Sequence, residues 1–376
     1  MPSPAPAVFH AQMAVTCLRA GGWMQVADRA LWALDFLDGP QLDQMVAINC
    51  PSLILSRQRL AQLGLDTDDQ FTALRLPEYT TASTLWALAL SNPQELGDLS
   101  LAGLQEPVEP KLAQSLSKLA EFAGILPAFI SCDCAGDAKG VEGDQADLGI
   151  WLDVDAIAST DIFGTLAQSL VQVGATPISL RSFGPAKFHL FRDALGHDEH
   201  VAIEMGERGM RAGPDNSPPT LVRLHSSCLT GDIFGSVRCD CGPQLHNALA
   251  GMKARGHGIL VYLAQEGRGI GLTNKLRSYL LQQSGLDTVD GNLALGFGDD
   301  LRDFRFAAQI LKLLGHEQIE LMTNNPRKVA GLAKAGIQVA KRSALIAADT
   351  PESARYLSDK AARSGHIVPA DLVEPS

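Results

Sequence analysis

What this 376-residue chain lacks narrows its class before any motif is read. Basic residues are in deficit, 31 Lys and Arg against 42 Asp and Glu, for a formal net charge of −11. Sequence-independent affinity for a phosphate backbone comes from clustered cations, so a general nucleic-acid binder is excluded. A local basic pocket for a small anion is not. Seven cysteines, an odd number spread over so long a chain, do not make the disulfide framework of a small secreted domain. No apolar run reaches the roughly 18–20 residues that a membrane span requires. The stretch MPSPAPAVFHAQMAVTCLRAGGW has no basic start leading into a sustained apolar segment. A soluble, cytoplasmic protein with no nucleic-acid or membrane partner is expected.

What is present is enough apolar residue, 46%, to build large cores, and the length favours two domains. The Pro-rich start, to about residue 24, is expected to fray. From there to about 135, apolar runs such as Pro51–Ser56 alternate with helical stretches such as Lys111–Gly124, a pattern that reads as βαβ layering. Residues 135–148 and 208–219 are Gly-, Pro- and acid-rich and read as loops. A helix is expected over Phe163–Val173, ending at Gly174. Beyond it the alternation is regular: strand 221–224, helix 244–254, strand 259–263, helix 272–283, helix 303–314, strand 318–322, helix 326–335 and strand 337–340. This is an α/β arrangement, in which sites form where loops leave the carboxyl ends of strands.

The polar motifs sit in those loops. The tripeptide Cys-Asp-Cys occurs twice, at 132–134 and 239–241, and only the second has a third cysteine near, in SCLTGDIFGSVRCDCG (227–242). Two thiolates two residues apart converge on one ion if the backbone turns, and Gly242 and Pro243 supply turn chemistry. Three sulfurs favour zinc and leave a fourth position open for water, as in a catalytic site. A structural site needs a fourth ligand, for which His225 and His246 are the candidates. Spacing alone leaves both readings open, and ordinary buried cysteines as a third. The first tripeptide, Cys17 and Cys50 read as packing residues.

Glu266-Gly267-Arg268-Gly269-Ile270-Gly271 lies between a strand and a helix. Its glycines permit close backbone approach, and the following helix start offers unpaired N–H groups to an anion. Glu266 can accept the paired N–H groups of a guanine edge, or be a solvated loop acid. In GFGDDLRDF, Asp300 or Asp303 reads as a helix N-cap. Thr323-Asn324-Asn325-Pro326-Arg327-Lys328 opens a helix with Pro near its first position and has the amides, hydroxyl and cations that suit a phosphate. Arg223, Arg238, Arg268, Arg302 and Lys328 near one soft-metal trio point to a phosphorylated substrate beside a metal-activated water.

Four stretches, RLHSSCLTGDIFGSVRCDCGPQL, YLAQEGRGIGLTNKLRSYLL, DTVDGNLALGFGDDLRDF and LMTNNPRKVAGLAKAGI, resemble GTP cyclohydrolase II of riboflavin biosynthesis, a likeness running from about Ile178 to the C-terminal SGHIV. The resemblance implies that Cys228, Cys239 and Cys241 ligate Zn2+, whose bound water attacks C8 of the guanine ring of GTP with loss of formate. It implies that Arg223, Leu224, His225, Ser226, Ser227, Gln244, Glu266, Gly267, Arg268, Thr288, Thr323 and Lys328 hold GTP. Tyr279 and Asp300 match proposed catalytic positions, Asp300 as proton acceptor. Arg302 matches a residue proposed to attack the α-phosphorus with release of pyrophosphate; a guanidinium is a poor nucleophile, and charge stabilisation is the other reading. Mg2+ on the triphosphate and a homodimer are also implied.

The chain departs from the family at Ser227, where a Glu is usual, and at Ala264, where a basic residue is usual. A cyclohydrolase-like relative of the uracil-catabolism type, or a non-catalytic nucleotide-binding protein with structural zinc, are the alternatives. The N-terminal half, in RALWALDFLDGPQLDQMVAINCPSLILSRQRLAQLGL and KLAEFAGILPAFISCD, resembles 3,4-dihydroxy-2-butanone 4-phosphate synthase but lacks that enzyme's acidic loop and its Arg-Pro-Gly-His and His-Thr-Glu segments. The expected organisation is a flexible segment (1–24), a catalytically silent synthase-like α/β domain (25–135), a linker with a connecting helix (136–175) and a GTP cyclohydrolase II domain (176–376).

Overall fold

The computed structural model describes residues 6–49, 51–77, 80–92, 105–133, 148–196, 198–206, 219–283 and 288–345. Outside them lie Cys50, Cys134, the SGHIV stretch and nearly all of the two expected loops at 135–148 and 208–219. The fold is mixed α/β in two compact units, each with its own sheet. The first comprises Ala5–Ile162 and Gly269–Leu301, and the second Phe163–Arg268 and the residues from Arg302 onward.

In the first unit the strands are β1 (Trp23–Val26), β2 (Arg29–Ala33), β3 (Ser52–Ser56), β4 (Phe71–Arg75), β5 (Gln105–Pro107), β6 (Ala128–Asp133) and β7 (Gly149–Trp151). They lie in the order β5-β4-β3-β6-β2-β1-β7. Every pair is antiparallel except β1 with β7, so the expected βαβ layering is not what forms. Apolar runs such as Ser52–Ser56, buried at every position, disclose a covered strand but not its direction. The helices are α1 (Pro6–Arg19), α2 (Gly39–Asn49), α3 (Arg57–Gln62), α4 (Ala82–Leu90), α5 (Pro110–Ala123) and α6 (Val154–Ser159), joined by α10 (Gly271–Gln283) and α11 (Thr288–Ala294) from much later in the chain. Residues 6–19, expected to fray, are helical because Val8, Ala11, Val15 and Leu18 fall on one face and are buried.

The late segment belongs to this unit by its core. Ile270, Leu281, Ala294, Leu295 and Phe297 pack in one cluster with Leu53, Leu55, Leu60, Leu85, Leu126 and Ile130. Polar groups add to the packing: Arg277 pairs with Asp35 at 2.8 Å, and Asn274 donates to Gly124 O at 2.9 Å. Gly296, at φ +87°, follows α11 so tightly that a Cβ there would lie 2.6 Å from Ser56 Oγ. The continuous 176–376 domain expected from the resemblance therefore does not coincide with a compact unit. Cys132 is buried in the same core, the packing role expected of it.

The second unit's strands are β8 (Val171–Leu180), β9 (Gly184–Arg192), β10 (Glu199–Met205), β11 (Thr220–Ser226), β12 (Gly258–Leu263), β13 (Gln318–Met322) and β14 (Gln338–Ser343), in the order β14-β13-β11-β12-β10-β9-β8. The last four in sequence pair in parallel, and β12, β10, β9 and β8 are antiparallel neighbours. The helices are α7 (Ile162–Gln168), α8 (Leu229–Asp232), α9 (Cys241–Arg255), α12 (Arg305–Leu313) and α13 (Pro326–Lys334). The helix expected over Phe163–Val173 stops at Gln168. Val171 and Val173 are β-branched around a polar Gln172 and enter β8, which absorbs Gly174 at a register shift. Among the described residues no helix is long and apolar enough to cross a membrane.

One buried charge in this sheet generates a pH prediction. Glu320 of β13 is 1% exposed and accepts from Arg255 at 2.6 Å, Lys341 at 3.1 Å and Ser343. Burial alone pushes its pKa up, and these donors outweigh that and hold it at about 2. A carboxylate depressed in the folded state contributes stability above its unfolded pKa, lost as pH falls through the folded value. The second unit is expected to lose about 3 kcal/mol of unfolding free energy between pH 5 and pH 2 from this group. Glu320→Gln should flatten that part of the dependence in denaturant titrations at a series of pH values; an unchanged slope overturns the assignment.

Candidate active site

Because β11, β12 and β13 run parallel, their carboxyl ends lie at one edge of the second sheet and release the loops after Ser226, Leu263 and Met322 there. Cross-links between strand ends keep these loops in register. Ser227 N donates to Leu263 O at 2.8 Å, Arg223 Nη1 donates to Met322 O at 3.0 Å, and Lys328 Nζ donates to Leu224 O at 2.7 Å.

The loop after β11 carries the thiols. The Sγ atoms of Cys228, Cys239 and Cys241 all lie within 4.8 Å of one another, with Cys228 and Cys239 at 3.6 Å. Gly231 fills the space beside them: a Cβ there would meet Cys239 Sγ at 2.8 Å and Cys228 Sγ at 3.1 Å. Cys241 opens α9, and Gly242 and Pro243, expected to supply a turn, lie in its first helical turn. Its thiol is pushed well up by hydrogen bonds with Cys228 and Cys239 and by burial, and Cys239 is raised first by its hydrogen bond with Cys228. Three converging thiols, two of them with ionisation disfavoured, are what a soft cation stabilises as thiolates. The trio fits one metal ion.

Neither histidine considered as a fourth ligand joins it. His246 is exposed and meets the Phe183 ring edge-on at 5.1 Å. His225 Nε2 lies 3.0 and 3.1 Å from the two oxygens of Asp232 and stacks on Tyr262 at 5.6 Å; burial pushes its pKa down despite Asp232. Asp232 also accepts from Cys228 N at 3.0 Å and from the Tyr262 hydroxyl at 2.9 Å, so it sets the backbone that presents Cys228. Asp232 and Tyr262 escaped the sequence reading; the signal available was an acid four residues after the first cysteine.

The cations gather in the same unit. Arg223, 5% exposed, donates to Gln244 Oε1 at 2.5 Å; burial lowers its pKa to about 10, against the opposing fields of Asp240 and Cys241, while Arg302 adds to the lowering. Arg302 and Lys328 lie 5.7 and 6.0 Å from the centre of the Phe304 ring. Arg223 Nε, His225 Nδ1 and Ser226 Oγ are buried without a hydrogen-bond partner, polar capacity that a bound ligand can satisfy.

Several expected ligand groups have work within the protein. Glu266 Oε2 accepts from Leu229 N at 2.7 Å and so holds the residue after Cys228, while its Oε1 accepts from Gly267 N at 3.2 Å; a carboxylate can accept more than these. Gly267 and Arg268 follow in left-handed backbone, at φ 62° and 60°. For Arg268 this is a strained conformation of the sort found at binding loops. Thr323, 1% exposed, accepts from Asn325 N at 3.0 Å, and Asn325 caps α13. Asp303 accepts from Arg305 N at 2.9 Å, but α12 starts at Arg305 with Phe304 in the cap position, so neither Asp300 nor Asp303 is the N-cap residue. Ala264 N donates to the buried His200 Nδ1 at 3.1 Å. Tyr279, Thr288 and Asp300 belong to the first unit: Tyr279 stands on α10 with Lys275 Nζ 5.8 Å from its ring centre, and Thr288 opens α11.

The tight fit at Gly231 yields a prediction. Gly231→Ala should weaken metal retention by at least about tenfold, one to two kcal/mol of overlap at the thiols, measured as metal content after dialysis against a graded chelator series. Retention equal to the parent chain would show that the thiols do not share one ion.

The matching family model is "GTP cyclohydrolase II", over residues 171–344. Among curated proteins, the riboflavin biosynthesis protein RibBA of Bacillus mycoides is 51% identical over 258 residues, 66% of this chain and 62% of that protein. The RibBA of Bacillus subtilis is 49% identical over 186 residues, 50% of this chain and 46% of that protein, so the match spans only part of these relatives' length. The GTP cyclohydrolase-2 of Xylella fastidiosa is 38% identical over 282 residues, 73% of this chain and 68% of that protein. With the thiol trio inside the matched stretch and a relative matched over more than two thirds of its length, this chain belongs to the GTP cyclohydrolase II family.

Proposed function

We propose that the chain is a zinc-dependent GTP cyclohydrolase II, a cytoplasmic homodimer that opens the imidazole ring of GTP with release of formate and pyrophosphate. The product is 2,5-diamino-6-(5-phosphoribosylamino)pyrimidin-4(3H)-one. The observation that carries the reading is the thiol trio, within 4.8 Å and without a fourth Cys, His, Asp or Glu among the described residues, in the same unit as Arg223, Arg302 and Lys328. Three protein ligands are the set of a catalytic ion rather than a closed structural one. When bound, zinc supplies the Lewis acidity for hydrolytic attack at C8.

The remaining roles fall to the chain's own groups. The basic side chains of Arg223 and Lys328 favour an anionic substrate. Arg302, which pairs with the Phe304 ring, stabilises charge at the α-phosphate rather than attacking it, since a guanidinium keeps its proton and its lone pairs are delocalised. Glu266 accepts from the guanine edge while retaining Leu229 N, Gln244 and Thr323 contribute polar contacts, and Asp300 as proton acceptor and Tyr279 are the catalytic positions that the family likeness implies. Mg2+ would ride on the triphosphate, which needs few protein ligands. The synthase-like stretch 25–135 is silent in catalysis, because the acids and histidine for ribulose 5-phosphate chemistry are missing from its sequence.

Ser227 and Ala264 favour one second reading. Without the usual carboxylate and cation the pocket charge differs, and another purine or pyrimidine becomes the substrate.

Supplied with zinc, Mg2+ and GTP, the purified chain should release formate and pyrophosphate in equal amounts, and Cys239→Ser should lose at least about 10^3 of that rate together with the metal. GTP binding without formate would transfer the case to the second reading. Metal retention with neither binding nor turnover would leave a structural site. Ribulose 5-phosphate with Mg2+ should give no formate; any formate from it refutes the silent domain.

A further inference from the structure

Tyr279 and Asp300, which the proposed reaction uses, and Thr288, a GTP-holding position by the resemblance, sit on a segment whose core is N-terminal. Beside that core, one buried cation ties down the end of α11. Arg59 of α3 is 1% exposed, and every nitrogen of its guanidinium donates to a main-chain carbonyl: Nε to Leu88 at 2.7 Å, Nη2 to Ala87 at 3.1 Å and Ser91 at 2.8 Å, and Nη1 to Ala294 at 2.9 Å. Ala87, Leu88 and Ser91 are at the carboxyl end of α4, and Ala294 is the last residue of α11. Carbonyls at a helix's carboxyl end run short of intrahelical donors and carry the negative end of its dipole; Ala87 O also accepts from Ser91 N at 3.0 Å. One guanidinium thus closes two helix ends 200 residues apart in sequence. Next to it, Ser56 Oγ donates to Gly296 O at 2.7 Å and accepts from Arg59 N at 3.4 Å. Lysine has one nitrogen in place of three and cannot reproduce the planar fork.

We propose that Arg59, assisted by Ser56, is a positioning residue for α11 and the loop 295–301, and that the silent N-terminal unit is retained because it sets the placement of Thr288 and Asp300. The catalytic half of this inference rests on the GTP reading above; the positioning half stands on the hydrogen bonds alone. Arg59 touches neither thiols nor substrate groups, so its effect passes through the segment.

The test uses the full chain with Arg59→Met, Arg59→Lys and Ser56→Ala. In hydrogen exchange read by mass spectrometry, peptides over 288–297 should exchange at least about tenfold faster in Arg59→Met, with β11 and β12 peptides unchanged and metal content equal to the parent. Formate release from GTP should lose at least about tenfold in kcat in Arg59→Met, with Arg59→Lys recovering part and Ser56→Ala showing a smaller loss of the same kind. Should Arg59→Met fail to fold, Arg59→Lys and Ser56→Ala decide by the same two readouts. Unchanged exchange over 288–297 in every soluble variant overturns the positioning role, and faster exchange with unchanged kcat overturns its part in the reaction. A parent chain that yields no formate refutes the GTP reading and leaves the exchange data to judge Arg59.

Discussion

Parallel pairing of β11 with β12 and β13 ends three strands at one edge of the second unit's sheet, and each end releases a polar loop. The other features of the site depend on this constraint. Antiparallel neighbours would send alternate loops to opposite edges, and Arg223, Lys328 and Ser227 could not tie strand to strand as they do through Met322 O, Leu224 O and Leu263 O. Those three bonds place two cations and the start of the cysteine loop within a frame that both-face burial of β12 makes stiff. The register is held by backbone, and the chemistry hangs from it.

Around the thiols, burial and charge work against each other. The thiols of Cys239 and Cys241 are pushed up by hydrogen bonds with their neighbouring thiols and by burial, and Arg223 is pushed down to about 10 by burial. A cation among the sulfurs and an anion near the arginines relieve both costs at once. Asp232 contributes from the protein side: one carboxylate collects Cys228 N, His225 and Tyr262 and removes His225 from the list of ligands. The donor set is thereby kept at three.

Family likeness follows the chain, whereas packing follows the core. The matched stretch 171–344 is continuous in sequence, yet its portion 269–301 is folded into the N-terminal unit. Leu281, Leu295 and Phe297 are covered by Leu53, Leu60 and Leu126, and Arg59 closes the carboxyl ends of α4 and α11. The N-terminal unit has a physical reason to persist, because removing it would strip these side chains of their core.

The sequence by itself determined most of the elements from 220 to 340, since periodicity, Gly stops and the Pro326 start are local signals; the strand at 318–322 and the helix from 326 occur as read, whereas the short α8 and α11 are not among the expected elements. It also marked Cys228, Cys239 and Cys241 as candidate ligands, but their convergence within 4.8 Å is set by the fold. It could not disclose strand direction in the first sheet, where an all-apolar run such as 52–56 looks alike either way. Nor could it disclose that His225 is spent on Asp232, or that Arg59, one cation in an ordinary amphipathic helix, meets Ala294 235 residues later. Those are long-range pairings, chosen by which buried polar groups can satisfy one another, and only the tertiary structure decides them.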